Sequence, residues 1–272
     1  MDPSDTNEIN KQLGSTEPET PQGEELSHSD KMIGVFTEPG KTFDVLVMIP
    51  PKVMDWLLPV ISFLVIAIIS NFILFQNPEL KLQFNEMLDK KVAEVETQLD
   101  EKVQKGEMTE SDKEAALEQT RGGMKFFTGP VMRSVTVVVY TIIGLFFMAL
   151  VYFLLSKFAL KGEGTYGGTL VARGLPVYIL VVQVIVVAIL SMVMNNLLLD
   201  TSAASFLGAE KGTITSFLLG RIDPFAIWFY TVVGIALAKM FKSDATVKYI
   251  VMVFAFWIIG DLILMALGMG FG

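Results

Sequence analysis

The sequence predicts an all-α, polytopic membrane protein: a bundle of five transmembrane helices carrying an extramembrane helical hairpin. Three observations predict it. Hydrophobic residues make up 52% of the 272-residue chain, charged residues only 18%, and the mean hydropathy is +0.52, a balance that soluble domains of this length rarely show. Apolar runs of about 20 residues recur, the length that a hydrocarbon core of ~30 Å requires. Between the first two runs lies a charged stretch whose apolar residues repeat with helical spacing.

Residues 1–30 are polar and acidic, with eight acids against the single base Lys11. Such a segment buries too little surface to offset its ordering entropy, so it is expected to be disordered, as a solubilising or a recruiting tail. It has neither a basic start nor an apolar stretch, and so does not resemble a secretory signal. The net charge of −8 owes much to this tail. Residues 31–55 form an amphipathic segment. A short helix from Thr42 to Ile49 is expected before Pro50 and Pro51, either in the headgroup plane with Lys41 and Lys52 toward lipid phosphates, or packed under the bundle.

Residues 56–75 form the first span, uncharged and edged by Trp56. In residues 76–130, Leu88, Val92, Val95, Leu99 and Val103 recur at spacings of three and four, which predicts an amphipathic helix ended by Gly106. Thr109 and Asp112 offer a cap to a second, shorter helix through Glu118. The heptad pattern is too short for a coiled-coil dimer, so an internally packed hairpin is expected, with Gly122, Gly123 and Gly129 as a flexible return. Residues 131–268 hold the other spans: Ser134–Leu155, Pro176–Leu199, Asp223–Lys242 and Tyr249–Gly268. In the fourth, Asp223 suits a cap and Pro224 the first helical turn. Gly234 and Ala238, four apart, share a face on which another helix can approach closely.

With the amino terminus inside, nine bases (Lys31, Lys41, Lys52, Lys157, Lys161, Arg173, Lys239, Lys242 and Lys248) lie on cytoplasmic flanks, against Lys211 and Arg221 opposite. That bias favours a cytoplasmic amino terminus, an outer hairpin and an outer carboxyl terminus in a cell (inner) membrane.

The chain has no cysteine and its one histidine, His28, lies in the tail. Thiolate chemistry is excluded, and no membrane histidine is available to a catalytic or metal centre. Asp261 is the notable intramembrane acid. A carboxylate at helix centre costs roughly 2.5–3.5 kcal/mol on insertion scales. It is expected either to serve as a proton or cation site, or to bond Tyr140, Asn71 or Asn195 across helices. Intramembrane aspartyl proteases carry Gly-x-Gly-Asp, but Ile258 stands at the first glycine position here, and no phosphate-binding loop occurs. No cofactor, catalytic residue or metal ligand is expected.

Phe36-Thr37-Glu38-Pro39 with Thr42-Phe43, then paired prolines and Trp56, resembles the opening of prokaryotic Yip1-domain proteins. Gly167-Gly168-Thr169-Leu170 with Arg173 and Leu175-Pro176 is similar to that family's lead into its third helix. Asp223-Pro224-Phe225 with Trp228 and Gly234 to Ala238 is similar to its fourth-helix signature. The long charged hairpin and the acidic tail depart from the family pattern. The resemblance implies a non-catalytic helical bundle. Eukaryotic relatives are associated with trafficking and prenylated Rab-type GTPases, but no GTPase-binding site is visible here and that role is not carried over. Expected partners are membrane lipids and other integral-membrane proteins, a transporter complex or a second copy among them, and no nucleic acid. Asp223, Pro224, Phe225, Gly234, Ala238, Arg173, Pro176 and Asp261 are the candidate interaction or packing residues. The alternative function is a small transporter or proton- or ion-conducting protein built on Asp261.

Overall fold

The computed structural model describes residues 26–209 and 213–266 and is all-α over them. The expected disorder of residues 1–25 lies outside the described residues. Helix α1 (His28–Thr37) begins inside the stretch assigned to the tail. Its start is a capping box: Ser27 accepts from the Asp30 backbone, and the Asp30 carboxylate accepts from the Ser27 backbone. Pro39 then starts α2 (Pro39–Leu46). Two helices thus replace the single one expected at 42–49, because a break at Glu38-Pro39 fixes the start of the second. Thr42, Phe43 and Leu46 are buried, and α2 packs against α11 (Pro224–Met240).

Four helical stretches are long and apolar enough to cross a membrane: α3 (Val53–Leu74), α6 (Pro130–Leu154) extended by a π turn to Ala159, α7 with α8 (Tyr166–Gly174, Val177–Met194), and α12 (Thr246–Ala266). A fifth arises if α10 (Ile214–Gly220), which follows the short α9 (Ala203–Leu207), and α11, bent by 62°, count as one broken span. Only 11–22% of the most apolar window of each of the four is buried within the protein. Apolar side chains left outside in such number mark surfaces for lipid. The third span ends earlier than expected, at Met194. Asn195 takes a left-handed conformation there (φ 51°), which closes the helix.

Helix α11 is apolar, yet it is the central buried element. Phe229, Val232, Val233, Ala236, Leu237 and Ala238 are all at most 2% exposed. It runs antiparallel to α12, while α3 and α8 run parallel: Gly174 lies against Trp56 at one end, and Asn77 Nδ2 donates to Asn195 Oδ1 at the other (2.9 Å).

The hairpin comprises α4 (Pro78–Gln104) and α5 (Glu110–Thr128). Gly106 turns with φ 73°, and the Thr109 hydroxyl accepts from the Asp112 backbone. Leu80, Leu99 and Leu117 are buried. Lys113 pairs with Asp100 (2.5 Å) and Glu110 (2.9 Å), bonds that hold its ammonium above the usual lysine range, Asp100 foremost. Helix α5 is longer than expected and passes straight through Gly122 and Gly123. Two glycines cost only about 1 kcal/mol each against alanine, less than continuous hydrogen bonding and packing on α4 return. The hairpin base is fixed at two joints. The Arg133 guanidinium lies between the rings of Phe75 (3.8 Å) and Phe84 (4.3 Å) and donates to Asn71 and the Thr128 carbonyl. Gln83 donates to the Asn195 carbonyl and accepts from the Leu197 N–H.

Helix α1 docks through His28, whose Nε2 lies 2.7 Å from the Tyr178 hydroxyl. Burial pushes the His28 pKa down; Asp55 opposes this and Lys31 adds to it. The folded protein therefore favours neutral His28, so its stabilising effect is complete above the ordinary value of about 6.5 and is lost as pH falls through the lowered one. The unfolding temperature should drop across that acid window, and His28→Gln should flatten this part of the profile. An unchanged profile would contradict the assignment.

Candidate functional site

The sequence places an aspartate before Pro224, and the structure uses it at a crossing of three segments. Asp223 Oδ1 accepts from the backbones of Phe225 (2.9 Å) and Ala226 (3.1 Å), capping α11. The same oxygen accepts from Thr201 Oγ1 (2.7 Å), while Oδ2 accepts from Gln183 Nε2 of α8 (2.9 Å). Asp223 is 3% exposed, so this carboxylate is buried and occupied at both oxygens. Charge-assisted bonds of this kind offset its desolvation.

Two residues upstream, Arg221 forms an ion pair with Asp261 of α12. Its guanidinium also lies over Trp257 (4.8 Å) and Phe217 (4.9 Å), and Trp257 stacks on Tyr230 (4.5 Å). The expected partners of Asp261 are engaged or turned away: Asn71 with Arg133, Asn195 with Asn77, and Tyr140 69% exposed. Antiparallel pairing of α11 and α12 sets Asp261 level with the start of α11, and there an arginine is the available donor. Asp200 accepts from the Ser202 N–H and hydroxyl and from the Ser205 hydroxyl.

Arg173, at the end of α7, lies within the third span rather than on its cytoplasmic flank as expected, because α7 and α8 together form that span, and it reaches the same cavity as Arg221. Its guanidinium lies over Phe229 (4.5 Å), and its buried Nε has no partner. Arg173, Gln183, Arg221, Asp223, Tyr230 and Asp261 line a shared cavity of about 250 Å³. The structure thus brings together three of the sequence candidates: Arg173, Asp223 and Asp261. Pro224 starts α11, and Phe225 packs beside Trp228, whose ring also meets Phe36 edge-on. Pro176 caps α8 at the α7–α8 joint, where Gly174 presses on Trp56. Gly234 and Ala238 lie further along α11: a Cβ on Gly234 would stand 2.7 Å from the Ile250 Cα, and Ala238 is fully buried. Gln183 and Thr201 escaped the sequence reading, and Arg221 was read only as a flanking base. Of the two that escaped, Gln183 carried a signal, as the one amide between Val177 and Leu190.

Among the described residues, no group of three or more His, Cys, Asp or Glu side chains is placed to hold a metal ion. No curated protein and no solved structure is significantly similar to the chain. A family model described as the Yip1 domain matches residues 33–267, most of the chain and all of the cavity. This multi-pass membrane protein belongs to the Yip1 domain family.

Proposed function

We propose that the protein is a non-catalytic interaction protein of the Yip1 type, a scaffold or accessory subunit that binds other integral-membrane proteins. The observation that carries this reading is the hairpin. A helix of 27 residues, about 40 Å at ~1.5 Å per residue, stands on a base fixed by Arg133 and Gln83, while most of its charged surface faces solvent. A rigid, charged projection suits docking of a partner's extramembrane surface, such as that of a transporter subunit or a second copy. The expected threading, amino terminus cytoplasmic and hairpin and carboxyl terminus outside in a cell inner membrane, rests on the bias of basic flanks; the alternation of spans that it needs is met by parallel α3 and α8 and antiparallel α11 and α12. Those are the directions that a five-span path needs.

The test is crosslinking and pull-down from native membranes with residues 79–120 deleted. The deletion should remove the crosslinked membrane partners while the bundle still inserts; unchanged recovery would rule the hairpin out. Ion conduction through Asp261 is the second reading, and the Arg221 ion pair weighs against it. Asp261→Asn should leave partner recovery intact, whereas an ion flux into proteoliposomes abolished by that change would favour conduction.

A further inference from the structure

The cavity beside α11 contains two guanidinium groups with unequal surroundings. Arg221 is matched by Asp261. Arg173 forms neither an ion pair nor a hydrogen bond among the described residues, and it rests on the Phe229 ring with its Nε buried and unpartnered. Each carboxylate around the cavity is already engaged: Asp223 by Gln183, Thr201 and two backbone N–H groups, Asp200 by two serines, and Asp261 by Arg221. The ring face supplies no hydrogen-bond acceptor, so the buried Nε is left unsatisfied. A planar fork of donors and a partly apolar wall of Leu180, Phe229 and Trp257 together match one chemistry, an oxyanion attached to a less polar body. At about 250 Å³ the cavity is below the ~300–1,000 Å³ of pockets that enclose drug-sized ligands, so it suits a head group rather than a whole cofactor.

We infer that Arg173 is the anchor of a phosphate-binding site in this cavity, filled by a phospholipid head group or by free phosphate. The inference stands apart from partner docking by the hairpin: either can fail alone, because the two involve different surfaces.

Full-length protein purified in a non-ionic detergent tests it. Its thermal unfolding and native mass spectrum are recorded with phosphatidylglycerol, with phosphatidylcholine and with inorganic phosphate, using sodium chloride at equal ionic strength as the control. At least one phosphate compound should raise the unfolding temperature above that control. A response to lipids alone identifies a head group, and a response to inorganic phosphate identifies the free anion. Arg173→Met should weaken that binding by about tenfold or more, the loss of a charge-assisted contact. Should that variant not fold, Arg173→Lys, which keeps the charge without the fork, should bind more weakly than the natural chain. A natural chain stabilised by no phosphate compound, or only by the cation of the salt, overturns the inference, as does a folded Arg173 variant that binds as well as the natural chain.

Discussion

Gly234→Leu is expected to abolish recovery of a monodisperse, folded protein, and Gly234→Ala to lower its unfolding temperature markedly. The reason is the path of α12. A Cβ added at Gly234 would stand 2.7 Å from the Ile250 Cα and 3.0 Å from its backbone nitrogen, so no side-chain rotation can relieve the clash. The helices must separate, and α11 has no slack on its other faces, where Val233, Ala236 and Leu237 are fully buried. Overpacking a well-packed interior costs about 1–3 kcal/mol; alanine here should reach that range and leucine exceed it. Gly122→Ala provides the contrast, because a Cβ there meets nothing within 4 Å. It should stabilise α5 by up to about 1 kcal/mol. Thermal unfolding and size-exclusion profiles of the three variants in one detergent check the ordering. A tolerated leucine at 234 would mean that α11 and α12 do not pack through this glycine.

Lys31→Met should be the most damaging single change in the amino-terminal layer. Lys31 Nζ lies 2.7 Å from Asp55 Oδ1, and both side chains are 4% exposed, so α1 is tied to the start of α3 by an ion pair screened from water. Removing one member strands the other charge at a cost of about 3–5 kcal/mol, whereas replacing both by apolar residues is often neutral or better. Asp55→Leu alone should be similarly damaging, and Lys31→Met with Asp55→Leu should recover most of the loss. A double-mutant cycle by thermal unfolding measures the coupling. Losses that simply add would show that the pair is not coupled. Exposed pairs such as Lys41–Glu38 should show little coupling by comparison.

What could be read from the sequence follows from how local each signal is. The Thr109 cap, the turn at Gly106 and the Asp223–Pro224 start are each specified within a few residues, and the structure realises each of them. The long uncharged runs announce themselves because hydropathy alone carries them. Hydropathy does not separate lipid from protein interior, so beyond the Gly234–Ala238 face nothing marked α11 as the buried centre rather than another lipid-facing span. The capping box at Ser27 was obscured by the acidic composition around it. Glycine propensity is a weak guide, and α5 overrode it at two adjacent positions. The partner of Asp261 depended on a pairing of helices 40 residues apart, which no local pattern specifies. Arg173, Asp223 and Asp261 were therefore recognisable as unusual residues, while the cavity they share was not.

The parallel pairing of α3 and α8 has a consequence for biogenesis. The Asn77–Asn195 bond joins residues 118 positions apart, with the hairpin and α6 between them. At ribosomal speeds of about 5–20 residues per second, α3 is made roughly 6–24 s before the end of α8 emerges to meet it. During that interval the flank of α3 that will receive Gly174 and Asn195 lacks its partner. The joint between α3 and α8 therefore cannot close until α8 has been made, and the buried centre on α11 is added later still.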